Sequence, residues 1–287
     1  MMPAGTLADF LSRGRDFLRD RGVAEPRLNA EILLAHVLNI ERPNLYLHLQ
    51  DRVSVQQVKL FQRFLFRRGK REPIQYITGE VSFSRLSFQI RKGVFIPRPE
   101  TEFLVREALQ RITGGTKVLD VGTGCGAIGL TLARFSATAP DVEVTLLDKS
   151  KPAIMLAEEN RKRLGLSPRQ VKLAGAGFLF FVVRTKRKFG MVISNPPYIP
   201  VSEMERLPEE VKREPKGALF GGPDGLRFIR SLISGGYRIL VKGGYLIFEI
   251  GYGQKEAVTD LVTRGGFILE AIIKDLAGID RVVVCKK

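Results

Sequence analysis

The first seventy residues carry apolar side chains at helical spacing. In TLADFLSRGRDFLRDRG the apolar residues fall on one side of a helix, and Thr6 and Asp9 have the spacing of a capping box. PRLNAEILLAHVLN begins on Pro26, which is favoured in a first helical turn. SVQQVKLFQRFLFRRGK begins with Ser54, and Gln57 follows three residues later, again at capping-box spacing. This stretch places basic residues on its outer face. These patterns predict a small helical bundle.

The period then changes from helical to alternating. In GEVSFSRLSFQI, Val81 and Phe83 and then Leu86 and Phe88 alternate with polar neighbours, which predicts a β-hairpin. The following FIPRPETE contains two prolines and predicts a stiff junction, since each proline fixes its own φ angle. TEFLVREALQRI then returns to helical spacing.

Strand-like and helix-like stretches alternate from Lys117 to the last residues. KVLDV, EVTLLD, MVISN, GYLIFEI and RVVVCK have strand character, and most are separated by helical stretches of 10–15 residues. This alternation predicts an α/β fold with a doubly wound, mainly parallel sheet. We expect an N-terminal all-helical domain (1–73), a hairpin linker (74–97) and the α/β domain (98–287). The strand-length apolar run FLFFVV, with the basic residues after it, has no functional interpretation.

Composition excludes several classes of protein. No apolar run approaches the roughly 18 residues of a membrane span. Cys125 and Cys285 form no CxxC pair, and there are two histidines, so we expect neither a disulfide framework nor a metal site. No signal-peptide pattern is present at the N-terminus, and the cytoplasm is the expected location. The formal charge of +16 suits an acidic partner such as nucleic acid or ribonucleoprotein, and equally suits a merely solvated basic surface.

A glycine-rich turn, VLDVGTGCGAIG, follows the first strand of the α/β part and opens a helix. Glycines allow the backbone to approach a ligand, and the free amides at a helix start face it. Gly124, Gly126 and Gly129 match GxGxxG, and Asp148 ends the next strand about twenty residues later, where a carboxylate binds ribose hydroxyls. These features are compatible with a dinucleotide or with another adenosine ligand.

Asp120 distinguishes between a dinucleotide and another adenosine ligand. It ends the first strand just before the glycines, where a dinucleotide would bring its pyrophosphate. A carboxylate at that point repels pyrophosphate and favours a ligand with an ammonium and a sulfonium charge. The sequence therefore predicts S-adenosylmethionine as cofactor, with S-adenosylhomocysteine as product.

The second unusual stretch is SNPPYI, which follows the strand-like run MVI. Asn195, Pro196, Pro197 and Tyr198 form a corner that neither a helix nor a sheet ladder can continue, because the two prolines lack backbone donors. Such a corner is either an ordinary turn or a rigid holder for a small planar polar group.

Seven ordered segments resemble the release-factor glutamine methyltransferases, the HemK/PrmC family. They are EPIQYITGE, IPRPETE, VLDVGTGCGAIG, SNPPYI, EPKGALFGGPDGL, EIGYGQ and DLAGIDRVVV, in register from about Glu72 to the C-terminus. The resemblance implies a class I, Rossmann-like methyltransferase domain. It further implies methyl transfer to the glutamine of the Gly-Gly-Gln motif of a peptide-chain release factor, which the helical domain would recognise. We expect a monomer.

The resemblance also implies roles for residues. Catalysis and substrate binding belong to Asn195, Pro196, Pro197 and Tyr198. An amide nitrogen is a poor nucleophile, so Asn195 Oδ1 and the Pro196 carbonyl would each accept one of its N–H groups, while Tyr198 offers a flat face for stacking. The cofactor residues are Gly122, Thr123, Gly124, Cys125, Gly126, Asp148, Gly177 and Asn195, and no metal is implied.

Two departures from the family pattern stand out. Ala176 takes the place of an acid expected beside adenine, and Gly190 the place of an aspartate before the NPPY strand. Three alternatives stay open: methylation of an exocyclic amine of nucleic acid, methylation of a ribosomal-protein glutamine, and a binding protein without catalytic activity.

Overall fold

The computed structural model describes residues 5–136, 139 and 141–287. By their internal contacts they form two compact units, one of residues 5–80 and 208–213 and one of residues 81–207 and 214–287. The expected domain boundaries at 73 and 97 stay a prediction, and the first four residues of the expected helical domain lie outside the described residues.

The α-helices and β-strands of the described residues follow in chain order, and three 3-10 helices also occur, at Arg42–Leu47, Val201–Arg206 and Val211–Arg213. The helices are α1 Leu7–Arg19, α2 Pro26–Leu38, α3 Val55–Gly69, α4 Ile74–Thr78, α5 Thr101–Leu109, α6 Ala127–Phe135, α7 Lys151–Arg163, α8 Phe178–Arg184, α9 Lys216–Leu219, α10 Arg227–Ile239 and α11 Lys255–Arg264. The strands are β1 Glu80–Phe83, β2 Leu86–Gln89, β3 Lys117–Val121, β4 Glu143–Asp148, β5 Val171–Gly175, β6 Phe189–Ser194, β7 Leu240–Glu249, β8 Ile268–Lys274 and β9 Asp280–Lys286.

The first unit is a helical bundle, as the spacing of its apolar residues predicts. Both predicted capping boxes are confirmed, because Thr6 and Ser54 each exchange hydrogen bonds with the third residue of their helix. Phe10 and Phe61 are fully buried in its core. The segment 208–213 joins this unit through Glu210, whose carboxylate lies 3.0 Å from the buried Arg68 guanidinium.

The second unit contains the predicted hairpin and sheet. β1 and β2 pair in a two-stranded sheet. The larger sheet has the order β5-β4-β3-β6-β7-β9-β8, in which the pairs from β5 to β7 are parallel and β9 runs antiparallel to both neighbours. The doubly wound, mainly parallel sheet is therefore confirmed.

The strand order places a switch point between β3 and β6. The chain winds outward from β3 to β4 and β5, and then returns to place β6 on the other side of β3. In open α/β sheets ligands bind outside the carboxyl ends of the strands at such a point. Val121 at the end of β3 is paired with Ser194 at the end of β6, so the glycine loop and the NPPY corner leave the sheet side by side.

The apolar run FLFFVV forms helix α8 rather than a strand. Phe178 and Phe181 pack against the core of the sheet, and Val182 is buried in it. Leu179 and Phe180 remain more than half exposed. None of the helices in the described ranges is long and apolar enough to cross a membrane.

Candidate active site

A cavity of about 470 Å³ lies at the carboxyl ends of the parallel strands of the second unit. Its volume is within the range of small-molecule sites, about 300–1,000 Å³. Its walls come from seven segments of that unit: 93–95, 121–124, 147–153, 176–180, 194–197, 215–218 and one face of α10.

The glycine loop forms one wall through its backbone. Gly122, Gly124 and Gly126 have φ angles of 73°, 59° and 89°, a left-handed conformation that favours glycine. Gly122 and Gly124 line the cavity. The predicted cofactor residues Thr123, Cys125 and Gly126 belong to the same loop but do not line the cavity.

Asp120 holds the loop from within the fold. Its side chain is fully buried, and Oδ2 accepts hydrogen bonds from the Thr123 hydroxyl at 2.5 Å and the Gly129 amide at 2.9 Å. Oδ1 is buried without a hydrogen-bond partner among the described residues. Burial raises the pKa of this carboxyl to about 7. Asp120 is thus a structural anchor of the loop beneath the cavity wall.

Asp148 ends β4, as the sequence predicts, and it lines the cavity. Its Oδ2 accepts the amide N–H of Gly124 at 3.0 Å, and its Oδ1 accepts that of Ser150 at 2.8 Å. A carboxylate oxygen can accept two hydrogen bonds, so each oxygen keeps capacity for a ligand hydroxyl.

Part of the cavity lining is apolar. Ala176 and the predicted Gly177 line it, followed by Phe178 and, from α10, Phe228 and Leu232. An acid at position 176 would therefore face the cavity. Of the two departures from the family pattern, Ala176 alone bears on this site.

Gly190 lies in the first half of β6, whereas Asn195 follows the last residue of that strand. A Cβ atom at position 190 would lie 3.2 Å from the Thr116 side chain, and Gly190 does not line the cavity. The glycine at this position therefore leaves the cavity wall unchanged.

The NPPY corner follows β6 and is held by its backbone. Asn195, Pro196 and Pro197 line the cavity. The Tyr198 carbonyl accepts a hydrogen bond from Gln254 Nε2 at 3.0 Å. The Ile199 amide donates to the Leu219 carbonyl, and the Ile199 carbonyl accepts from the Gly221 amide. A Cβ atom added at Gly225 would lie 2.3 Å from the Tyr198 carbonyl oxygen, so GGPDG packs directly against the corner.

The Asn195 side chain is oriented by a buried network that sequence patterns did not indicate. Asn195 Nδ2 donates to Thr101 Oγ1 at 2.9 Å, and Thr101 Oγ1 donates to Glu249 Oε2 at 2.7 Å. The other carboxylate oxygen, Glu249 Oε1, accepts the Tyr198 hydroxyl at 3.0 Å. The Tyr198 hydroxyl therefore has a structural partner, and Tyr198 itself does not line the cavity.

Glu214 fixes another part of the cavity wall. It is buried, its Oε2 accepts the Ile96 amide at 2.9 Å, and Oε1 pairs with the Arg98 guanidinium. Burial raises the pKa of this carboxyl, against the opposing effect of Arg98. Glu214 thereby joins the segment before Arg98 to Pro215, which lines the cavity.

Comparisons with known proteins agree on the family. Residues 9–79 match the PrmC N-terminal domain, and residues 87–211 match the methyltransferase small domain. The chain is 38% identical to the release factor glutamine methyltransferase of Geobacter sulfurreducens, over 97% of this chain and 95% of that protein. It is 39% identical to the protein of the same name from Clostridium acetobutylicum, over 89% and 90% of the two chains.

A solved structure shows the same fold. A methyltransferase from Pyrococcus furiosus superposes with a TM-score of 0.52 at 16% identity, covering 82% of this chain and 98% of that one. At this identity the likeness concerns the fold alone. The identity to the two bacterial proteins over nearly their whole length shows that the chain belongs to the release factor glutamine methyltransferase family.

Proposed function

We propose that this protein transfers a methyl group from S-adenosylmethionine to the side-chain amide nitrogen of a glutamine in a peptide-chain release factor, within its Gly-Gly-Gln motif. The observation that carries the proposal is the juxtaposition of the glycine loop and the Asn195 corner in one cavity. Ser194 Oγ donates to the Val121 carbonyl at 2.7 Å, so the two strand ends are bonded to each other. The names of the bacterial relatives support the choice of substrate.

The residues of the cavity fit S-adenosylmethionine. Asp148 has carboxylate capacity for two ribose hydroxyls, and the apolar wall from Ala176 to Phe180 suits the adenine ring. The glycine loop lets the backbone approach the ligand, and the buried Asp120 holds that loop through Thr123 and Gly129 rather than facing the ligand, which corrects the sequence-based expectation for this residue. When bound, the cofactor supplies an electrophilic methyl group on a sulfonium.

The corner is suited to a planar amide. Asn195 Nδ2 is bound to Thr101, so Oδ1 is the atom left to accept one N–H of the substrate glutamine. The Pro196 carbonyl would accept the second N–H. With both N–H groups held, the nitrogen lone pair can point at the methyl carbon. Transfer would form the N–C bond at the expense of the S–C bond, whose electron pair would stay with sulfur, and the nitrogen would release one amide proton to solvent.

The helical unit is the proposed recognition domain for the release factor, and the activity would take place in the cytoplasm. An exocyclic amine of a nucleic-acid base presents the same two N–H groups to the corner. The test of the proposed function therefore offers both kinds of substrate in parallel.

The test is methyl transfer from labelled S-adenosylmethionine to purified release factor, duplex DNA and ribosomal RNA in parallel. We expect label in the release factor alone, and mass spectrometry should find one added methyl group on the Gly-Gly-Gln peptide. The matched control is a release factor with that glutamine replaced by alanine. Label in nucleic acid but not in the release factor would overturn the proposal.

The enzyme variant Asn195→Ala tests the assigned role of the corner. It should lose about 10²–10³ in the single-turnover rate, because it removes a preorganised transition-state contact. Its affinity for S-adenosylmethionine, measured by calorimetry, should change little. Near-normal turnover by this variant would show that Asn195 does not hold the nucleophile.

A further inference from the structure

A buried carboxylate lies behind the acceptor corner, and its presence needs an explanation. Glu249 ends β7 and is 1% exposed. Burying an ionised carboxylate is costly, and a well-packed apolar residue of similar size would be at least as stabilising. Burial raises the pKa of Glu249 to about 7, against the opposing effects of its hydrogen bonds and of Arg281. Such costly groups are concentrated at functional sites.

The ionised state of Glu249 determines which atom donates in each hydrogen bond of this network. An ionised carboxylate only accepts, so the single proton of the Thr101 hydroxyl must point at Glu249 Oε2, 2.7 Å away. The Thr101 oxygen can then only accept from Asn195, 2.9 Å away, and the Asn195 atom facing it must be the NH₂ group. No described residue donates a hydrogen bond to the remaining atom, Asn195 Oδ1.

We propose that Glu249 and Thr101 are positioning residues that orient the Asn195 amide, so that Oδ1 and not Nδ2 meets the substrate. The inference rests on the proposed function, in which Oδ1 accepts an amide N–H. A flipped Asn195 would direct its NH₂ group at the N–H of the substrate glutamine. Two donors cannot bond to each other, so the glutamine amide would not bind. The same carboxylate binds the Tyr198 hydroxyl and so anchors both ends of the corner.

This orientation depends on the ionised state of Glu249. A protonated Glu249 can donate its own proton to Thr101, which frees the Thr101 hydroxyl to point at Asn195 and permits the flipped amide. Tyr198, Arg281 and Glu100 are the other titratable groups that act on this carboxyl. Methyl transfer at saturating substrates should therefore rise with pH through about 7.

The experiment compares Thr101→Val with Thr101→Ser in the full-length enzyme, with purified release factor as substrate. Valine has the shape of threonine without the hydroxyl, whereas serine keeps the hydroxyl. Thr101→Val should lose about tenfold or more in the single-turnover rate. Thr101→Ser should stay within about threefold of the wild type, since its hydrogen bonds are retained. The dissociation constant of S-adenosylmethionine, which also reports folding, should change less than about twofold in both, because neither bond is made to the cofactor.

Two further variants complete the comparison. Thr263→Val removes an exposed threonine hydroxyl on α11 that donates to the Thr259 carbonyl of the same helix, and it should keep the wild-type rate. Glu249→Gln cannot titrate, so the pH dependence near 7 should disappear in this variant. A merely structural role for Glu249 would lower stability but leave the shape of the pH profile unchanged.

The outcomes separate the inference from the proposed function. A wild-type enzyme that does not methylate the release factor would refute both. An active wild type together with an unimpaired Thr101→Val, or with Thr101→Val and Thr101→Ser impaired equally, would refute the inference alone. A pH step near 7 that persists in Glu249→Gln would refute the assignment of that step to Glu249.

Discussion

Asp148→Asn should weaken cofactor binding while leaving the fold intact. Asp148 closes β4 with one oxygen on the Gly124 amide and the other on the Ser150 amide. The second lone pair of each oxygen is the proposed acceptor for a ribose hydroxyl. Asparagine keeps one of these oxygens and replaces the other by an NH₂ group, which cannot accept.

The magnitude follows from the lost bond. A hydrogen bond to a charged group contributes about 1.5–3 kcal/mol, and every 1.4 kcal/mol is a factor of ten in affinity. The dissociation constant of S-adenosylmethionine should therefore rise about ten- to a hundredfold. Asp148→Ala removes both acceptors and should bind S-adenosylmethionine at least as weakly, but it leaves the backbone N–H groups of both Gly124 and Ser150 without an acceptor. Asparagine leaves one of these two N–H groups without an acceptor, so it disturbs the loop less and is the milder test.

Isothermal calorimetry with S-adenosylmethionine measures the effect, and thermal unfolding verifies the fold. Asp260→Asn is the matched control, because Asp260 is exposed on α11 and forms a surface ion pair with Arg264 of the same helix. A dissociation constant of Asp148→Asn within twofold of the wild type would refute the assignment of ribose binding to Asp148.

Two further variants test the adenine side of the cavity and the packing of helix α6 behind the glycine loop. Ala176→Asp adds an acceptor beside the proposed adenine site and should tighten S-adenosylmethionine binding by about two- to tenfold, the worth of one hydrogen bond; unchanged or weaker binding in calorimetry would show that position 176 does not face adenine. Gly129→Ala places a Cβ atom 2.2 Å from Leu146 Cδ2, and it should lower the free energy of unfolding by about 1–3 kcal/mol in urea denaturation. Gly175→Ala, whose Cβ would meet nothing within 4 Å, is its control, and equal stability of the two variants would contradict the close packing at Gly129.

Sequence patterns predicted those parts of the fold that depend on interactions between residues close together in the sequence. Both capping boxes involve residues three positions apart, and the hairpin alternation is contained in twelve residues. Strands β5 and β8 were not identified by the alternation. They are the two edges of the sheet, and their residues are mostly half-buried or exposed. Edge strands show less contrast between apolar and polar positions, so the pattern there is weak.

Long-range contacts limit what the sequence can indicate about the site. Asp148 ends β4 and Asn195 follows β6, so the order of the strands places both near the cavity. Thr101 and Glu249 are 148 positions apart, and nothing in either neighbourhood indicates the bond between them. An acid at the carboxyl end of a parallel strand is the available signal for Glu249, and the same rule identified Asp148. The helical conformation of α8 was also not predictable, because the run FLFFVV suits a strand as well as a helix.

The separation between cofactor and acceptor is set by the sheet rather than by the loops. Methyl transfer needs the nitrogen and the methyl carbon within about 3–3.5 Å and in line, and small errors in placement are costly. The glycine loop follows Val121 and the acceptor corner follows Ser194, and these two residues are partners in the β3–β6 ladder. β6 is buried on both faces, so a slip of one residue would exchange the side chains of its two faces and disrupt the packing of both. The packing that selects the register therefore also selects the catalytic geometry. Beyond the end of the strand, the two prolines restrict the backbone. The hydrogen bonds made by the backbone of Tyr198 and Ile199 also hold in place the atoms that meet the substrate.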